Sequence, residues 1–486
     1  MKRINFVLIF LLFAGFITGQ SITGEFNCST IIVGKNASAT RNVLIGHNED
    51  DGGMQVVNFY KRYADDNPGE KIVLKNGAVI DQAKNTFGHI WLEMPGQDFA
   101  DSFLNEKGVL ITSNSCPSIE RHGEIIDGGI CYNLRKIVAE RAESARHGVE
   151  IAGEILSAVG YDASGRTYTI ADTQEAWMLS VVRGKHWAAM RIPDNHVVYL
   201  PNFYIIREID FEDHEKFMTS SGLKDYAIRM NWYDPESGEF NFREVYGNQR
   251  SAESMSNIGR MWSVVNKLSA KEYGIEDELP ESFVPESPVS IEDLISILGN
   301  HYEGTQLDDS EHYTLHNPHE NKLMNICASH QQLSFVAELR DGQPVEIGCR
   351  LWIAPRRGCV HTYIPVYYGI NDFPAFYRYY EDDNKVYEMH FQPPDDMYNK
   401  ENGKAWWSFM EVTDYIDEDY KARIGERRKF KNELQQEYFE LAEGFDAEIT
   451  SLWQKDRSKA LEEITEFSNM IFDKALKSNI RYMEEK

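Results

Sequence analysis

Three strand-like runs in close succession, 166–172 (RTYTIAD), 176–182 (AWMLSVV) and 186–192 (HWAAMRI), constrain this chain most. The links between them are Asp172-Thr173-Gln174-Glu175 and Arg183-Gly184-Lys185. A parallel crossover needs about a dozen residues or more, so runs joined this tightly must lie antiparallel, as a meander. Further strand-like runs fall at 87–94, 107–116, 333–339, 349–354 and 359–368, and the stretch from Cys28 to Gly46 alternates and breaks as a hairpin. After Gly128-Gly129 the period changes: Leu134, Ile137, Val138 and Ala142 share one helical face, and a second helix follows at 149–159. Sheets with paired helices are the expectation.

Two later stretches carry their own signals. From 271 to 288 the sequence turns acidic and proline-rich (KEYGIEDELPESFVPESP), an exposed connection that is either a domain linker or a long surface loop, and Ser290 with Asp293 forms a capping-box pattern. Beyond Glu418, Leu434, Tyr438, Leu441, Phe445, Ile449 and Leu452 recur at three- and four-residue spacing, which predicts a long amphipathic helix packed on a core.

The amino end reads as a targeting segment. Met1 to Arg3 carries two cations, residues 4–19 are uncharged and almost all apolar, and the first acid is Glu25. That run is short for a membrane span, and no later stretch approaches eighteen uninterrupted apolar residues. The expectation is a signal peptide over 1–19, a short propeptide over 20–27, and an exported protein, periplasmic or extracellular, with no stable membrane anchor after processing. Export permits disulfides among Cys28, Cys116, Cys131, Cys327, Cys349 and Cys359, and the pair Cys349 and Cys359 flanks a strand-like run.

Charge and motifs exclude several functions. A formal net charge of −27 with no long basic run opposes a phosphate backbone, so no nucleic-acid partner is expected. There is no phosphate-binding Gly-rich loop, no G-x-S-x-G elbow and no H-E-x-x-H. His312, His316 and His319 cluster in sequence, but Pro318 argues against one helix face there and no thiolate pair lies nearby in the sequence, so no metal site is expected.

The informative segment is Asn27-Cys28-Ser29-Thr30-Ile31-Ile32-Val33-Gly34-Lys35-Asn36-Ala37-Ser38, followed by Gly46-His47-Asn48-Glu49-Asp50. It resembles the dipeptidase A and secernin-like family of cysteine-type N-terminal-nucleophile hydrolases, whose mature chains begin C-T-T-I-L-V-G-K-x-A-S. Later blocks around GGICYNLRKIVAERAESARHGVEI, YTIADTQEAWMLSVVRGKHWAAMRIPDNHVVYLPNFYIIREID and WIAPRRGCVHTYIPVYYGI are similar to that family as well. The resemblance covers most of 28–369 and is weak in the helical C-terminal part.

The chemistry of such a start is intelligible from the residue alone. A free thiol titrates near 8.5 and a chain-terminal amine at about 7.7–8.0, so a cysteine made N-terminal carries its own nearly matched base. The amine can take the thiol proton as sulfur attacks an amide carbonyl, and water then cleaves the thioester. The resemblance places Asp50 against the terminal amine. It puts an arginine where this chain has His47, which leaves His47 as a candidate for tuning the thiolate or as a turn residue. Asn114, after Asn105-Glu106-Lys107-Gly108, and Asn202 fall where the wider class has oxyanion donors, and Arg260 resembles a late arginine that steadies developing charge.

The resemblance implies an α+β fold: a four-layer αββα sandwich of two antiparallel sheets over 28–417, with a helical region packed on it over 418–486. It implies a dipeptidase acting through a thioester on Cys28, with a dipeptide or other small amide as substrate and no metal or organic cofactor. Two alternatives stand beside it: a choloylglycine-hydrolase-like acyl-amide hydrolase or acyltransferase, and an exported binding protein that has lost activity. A homo-oligomer is compatible with either.

Overall fold

The meander forms as its short links require, with strands Tyr161–Ala171, Ala176–Gly184 and Trp187–Arg191 paired antiparallel in sequence order. In the computed structural model these residues belong to a chain described over 28–486 apart from 51–55, 67, 98–99, 322, 381–385 and 388. The expected signal peptide and propeptide lie outside the described residues.

Strict alternation sorts the meander's side chains onto two buried faces. Met178, Val182, Ala188 and Met190 face one apolar cluster, while Trp177, Leu179, Val181 and Ala189 face another. Each such large side chain contributes about 1.5–3 kcal/mol by leaving water. The meander is the centre of an eight-stranded antiparallel sheet that runs, in spatial order, through Phe217–Thr219, the three meander strands in reverse, Leu110–Ser115, Ser102–Asn105, His89–Glu93 and Asn58–Arg62. Helices Asn133–Arg141 and Ala145–Val159 cover its outer face.

A six-stranded sheet packs on the inner face. Its order is Val197–Leu200, Ser29–Val33, Val43–Asp50, Gln331–Leu339, Cys349–Pro355 and Ile364–Tyr367, antiparallel throughout. Ile32 and Ile45 from this sheet share one core with Leu110 and Met178 from the other, so the space between the sheets is apolar except at one end. Helices Met255–Leu268 and Ile291–Leu298 lie on its far side, the second opened by the Ser290–Asp293 capping box. Helix, sheet, sheet, helix is the four-layer order expected.

Residues 271–288 are a surface loop and not a domain linker. Phe283 exchanges both main-chain hydrogen bonds with Val197, at 2.7 and 3.0 Å, which shields the outer edge of the six-stranded sheet. The C-terminal helical region starts earlier than 418, with helix Ala405–Glu418, and continues as Tyr420–Lys455 and Arg457–Glu484. It is continuous with the main core: Phe445 packs edge-on against Tyr367 of the sheet, and Asp446 accepts from Arg350 on the sheet at 3.2 Å and from Arg340 just past its strand at 2.8 Å.

The pairing of Cys349 with Cys359 does not occur. Cys349 packs in the main core, whereas Cys359 turns into a separate buried cluster with Cys327. The strand between the two cysteines holds them at opposite ends of its length.

Candidate active site

Val43–Asp50 is an interior strand, paired on both sides, yet its last four residues His47, Asn48, Glu49 and Asp50 are polar and fully buried. Burying four such groups is costly unless each is satisfied, so a run like this marks a built site. The hairpin register sets Thr30 opposite His47 and therefore Cys28, just ahead of the first strand, opposite Glu49. Period-two alternation then puts Cys28, Thr30, His47 and Glu49 on one face.

These side chains close a ring of hydrogen bonds. The Cys28 thiol donates to Glu49 Oε1 at 2.9 Å, and Glu49 Oε2 lies 3.2 Å from His47 Nε2. His47 Nδ1 lies 2.8 Å from Thr30 Oγ1, which donates to Asn114 Oδ1 at 2.6 Å. Asn114 Nδ2 returns to the Cys28 carbonyl at 3.0 Å. Because the one Thr30 proton goes to Asn114, His47 Nδ1 must be the donor toward Thr30.

Arg260, fully buried on helix Met255–Leu268, approaches from the other side. Its Nη1 donates to the Cys28 carbonyl at 3.3 Å and to Ser29 Oγ at 3.2 Å, and its Nη2 to Asn202 Oδ1 at 2.8 Å and Asn257 Oδ1 at 2.6 Å. Asn202 Nδ2 donates to Ser115 O at 3.0 Å. The Cys28 main chain is thus clamped by one amide and one guanidinium, held in turn by two asparagines.

All six residues singled out from the sequence, Cys28, His47, Asp50, Asn114, Asn202 and Arg260, come together here. Two of the expected parts differ in detail. Asn114 directs its amide nitrogen at the carbonyls of Cys28, Leu200 and Pro201, at 3.0, 2.9 and 3.4 Å, so in this state it positions the main chain and is not an open oxyanion donor. His47 does not meet the thiol, because Glu49 stands between them. Glu49 is the residue that sequence reasoning passed over. Its signal was present in the unbroken polar run that ends an otherwise apolar strand.

The site is acidic around the sulfur. Burial pushes the Cys28 thiol well above its ordinary range, the charges of Glu49 and Asp50 and the bond to Glu49 push it further, and the Asp50 main-chain N–H alone works the other way. Cys28 is therefore a neutral thiol here, not the thiolate that a neighbouring arginine would favour.

The sequence pattern described as peptidase family C69 matches residues 111–433. That span holds Asn114, Asn202 and Arg260, while the first hairpin brings Cys28, His47 and Asp50 to them. The chain is 27% identical over 365 residues to a probable dipeptidase of Latilactobacillus sakei, covering 72% of this chain and 76% of that one. It is 26% identical over 403 residues to a dipeptidase of Bifidobacterium longum, covering 72% of each. Among solved structures, the penicillin V acylase of Agrobacterium tumefaciens aligns at 12% identity and a TM-score of 0.32, over 70% of this chain and 85% of that one.

Proposed function

The chain belongs to peptidase family C69, and from that premise we propose that it is an exported dipeptidase whose nucleophile is Cys28, freed as the N-terminal residue by removal of residues 1–27. The observation that carries this is the convergence on Cys28: a carboxylate on its thiol, and an amide and a guanidinium on its carbonyl. Nothing of this kind is needed to pack a small buried thiol, for which apolar neighbours suffice.

Freeing the α-amine changes the electrostatics at one stroke. In the uncut chain the sulfur faces two carboxylates, which oppose its ionisation. A terminal ammonium on the same residue would set a positive charge beside the sulfur and the two carboxylates, reversing part of that penalty, and its neutral form at about 7.7–8.0 is a base for the thiol proton. The amine takes that proton as sulfur bonds to the peptide carbonyl carbon. It then returns the proton to the leaving amine as the C–N bond breaks, giving a thioester that water opens to the acid and the free thiol.

The other residues hold this geometry. Asp50 and the Glu49–His47 pair receive the ammonium. Arg260 and Asn114 fix the Cys28 carbonyl, so the sulfur and the amine keep one orientation. Asn202, which accepts from Arg260 through its oxygen and donates to Ser115 O through its amide, holds the guanidinium against the Cys28 carbonyl. Release of amino acids from a panel of dipeptides, beside N-acyl amides of matched size, tests the assignment. Turnover confined to the N-acyl amides would overturn the dipeptidase reading, and turnover retained by Cys28→Ala would overturn the nucleophile.

A further inference from the structure

The histidine-rich stretch near 312–319 divides in the fold. His312 stays at the surface beside Asp309, and His316 lies 3.0 Å from Lys421 Nζ. His319 turns inward to meet His301, Cys327 and Cys359, all four buried, with their four ligand-type atoms within 4.8 Å of one another. His301 Nε2 and His319 Nε2 are 3.0 Å apart, and the thiols of Cys327 and Cys359 are 3.8 and 3.6 Å from His319 Nε2. A four-coordinate ion with bonds of about 2.0–2.1 Å to nitrogen and 2.3 Å to sulfur has edges of about 3.3–3.8 Å between its ligands. The two sulfur contacts to His319 fall in that range, and the four atoms, none more than 4.8 Å from another, need shifts of about an ångström to close on one ion.

We propose that His301, His319, Cys327 and Cys359 form a closed tetrahedral structural site for a divalent ion of the zinc type. Two thiolates and two imidazoles are the donor set that suits a borderline-soft ion, and four protein ligands leave no open position for chemistry. Binding displaces the two thiol protons to solvent and leaves a site of no net charge, which a buried position tolerates.

The surroundings are those of a ligand shell. His301 Nδ1 lies 2.9 Å from Glu303 Oε1, and His319 Nδ1 lies 3.4 Å from Asp417 Oδ1. Outer carboxylates of this kind fix an imidazole's tautomer so that Nε2 faces the ion. Arg357 Nη1 also stands 2.5 Å from His319 Nδ1 while holding Asp417 at 3.0 Å. A chain of hydrogen bonds from Arg357 through the two imidazoles to Glu303 is the metal-free alternative. It places one proton between the two rings and leaves both thiols turned toward the same nitrogen, whereas a cation uses all four donors. A cavity of about 440 Å³ lined by Cys359, Glu303 and Arg428 reaches the cluster and supplies an entry path.

The ion would fasten three parts of the fold that the sheet alone does not join. His301, His319 and Cys327 lie in the long irregular segment ahead of strand Gln331–Leu339, Cys359 lies between the last two strands of the six-stranded sheet, and Asp417 closes helix Ala405–Glu418. The same segment supports the site around Cys28, since Asn48 Nδ2 donates to Leu298 O at 2.9 Å just ahead of it and to Ile326 O at 2.8 Å within it.

Metal analysis of the full chain, purified without chelator, tests this whatever the enzyme's substrate. About one equivalent of zinc per chain is expected, lowered thermal stability on chelation, and, after exchange with Co²⁺, the visible and thiolate charge-transfer absorption of a tetrahedral site. Cys327→Ser and Cys359→Ser should lose the metal, and His316→Ala, outside the cluster, should keep it. The half-exposed Glu303→Gln should fold and bind about tenfold or more weakly in competition with a chromophoric chelator. The cobalt spectrum of the unmutated protein needs no variant to fold. Free thiols with no uptake of Zn²⁺ or Co²⁺, or an intact mass showing Cys327 joined to Cys359 as a disulfide, would overturn the proposal.

Discussion

The Cys28 thiol and the Glu49 carboxylate lie 2.9 Å apart, donor to acceptor, in the buried end of the space between the two sheets. A carboxylate on a thiol is an unfavourable partner for ionisation but a good acceptor for the neutral form. The pairing therefore holds Cys28 protonated until a positive charge arrives.

Cys28→Ala is expected to lower dipeptide turnover by about 10⁴-fold or more, as loss of a nucleophile does in enzymes that act through a covalent intermediate. The fold should survive, with a stability loss of about 1–3 kcal/mol for the broken bond to Glu49. If Cys28 also cuts the bond after Asn27, this variant keeps residues 20–27 while the unmutated protein begins at Cys28. Intact mass and N-terminal sequencing decide between self-cleavage and a separate protease, and an active enzyme that still carries Asn27 would end the N-terminal mechanism.

Glu49→Gln keeps the shape of the side chain and removes its charge. The Glu49 charge and bond both raise the Cys28 thiol, so the variant's thiol should titrate lower, though burial still holds it high. Alkylation of Cys28 at a fixed pH, followed by peptide mass spectrometry, should therefore be faster, by roughly tenfold. An unchanged rate profile would mean that Glu49 does not control the sulfur.

Asp50→Asn should reduce turnover by about 10²-fold with the fold preserved. A carboxylate favours the protonated amine, so its removal lowers the amine's titration point. The rise of kcat/KM with pH, which reports the neutral amine, should then move to lower pH. Identical profiles across the pH range would exclude Asp50 from the mechanism.

His47→Arg installs the arginine that the sequence resemblance puts at this position, fully buried between Thr30, Glu49 and Phe335. Extra volume there should cost about 1–3 kcal/mol, read as a lower Tm. A fixed positive charge beside Glu49 should also bring the Cys28 thiol down, moving its alkylation to lower pH. A variant unchanged in both respects would show that position 47 is isolated from the sulfur.

Much of the architecture was legible along the chain. Turns too short for a crossover compelled an antiparallel meander at 161–191, Ser290 and Asp293 announced a helix that begins with its capping box, and the stripe from Leu434 to Leu452 lies on a 36-residue helix. Each of these signals is complete within one turn, one strand or one helical period, where local dihedral preference and burial on a single face act together. Cys28 stood out for a similar reason, because the chemistry of a thiol beside a terminal amine belongs to one residue.

What faces Cys28 was settled only by the three-dimensional packing. Glu49 reaches the sulfur because the register of the first hairpin sets the two opposite each other, and a slip of one residue would have turned it to the helix side. Arg260 arrives from a helix 232 residues away, and Cys359 joins His319 across 40 residues in place of Cys349, its neighbour in sequence. Such partnerships carry no periodic signature, since the free energy that selects them is spread over both sheets and their covering helices.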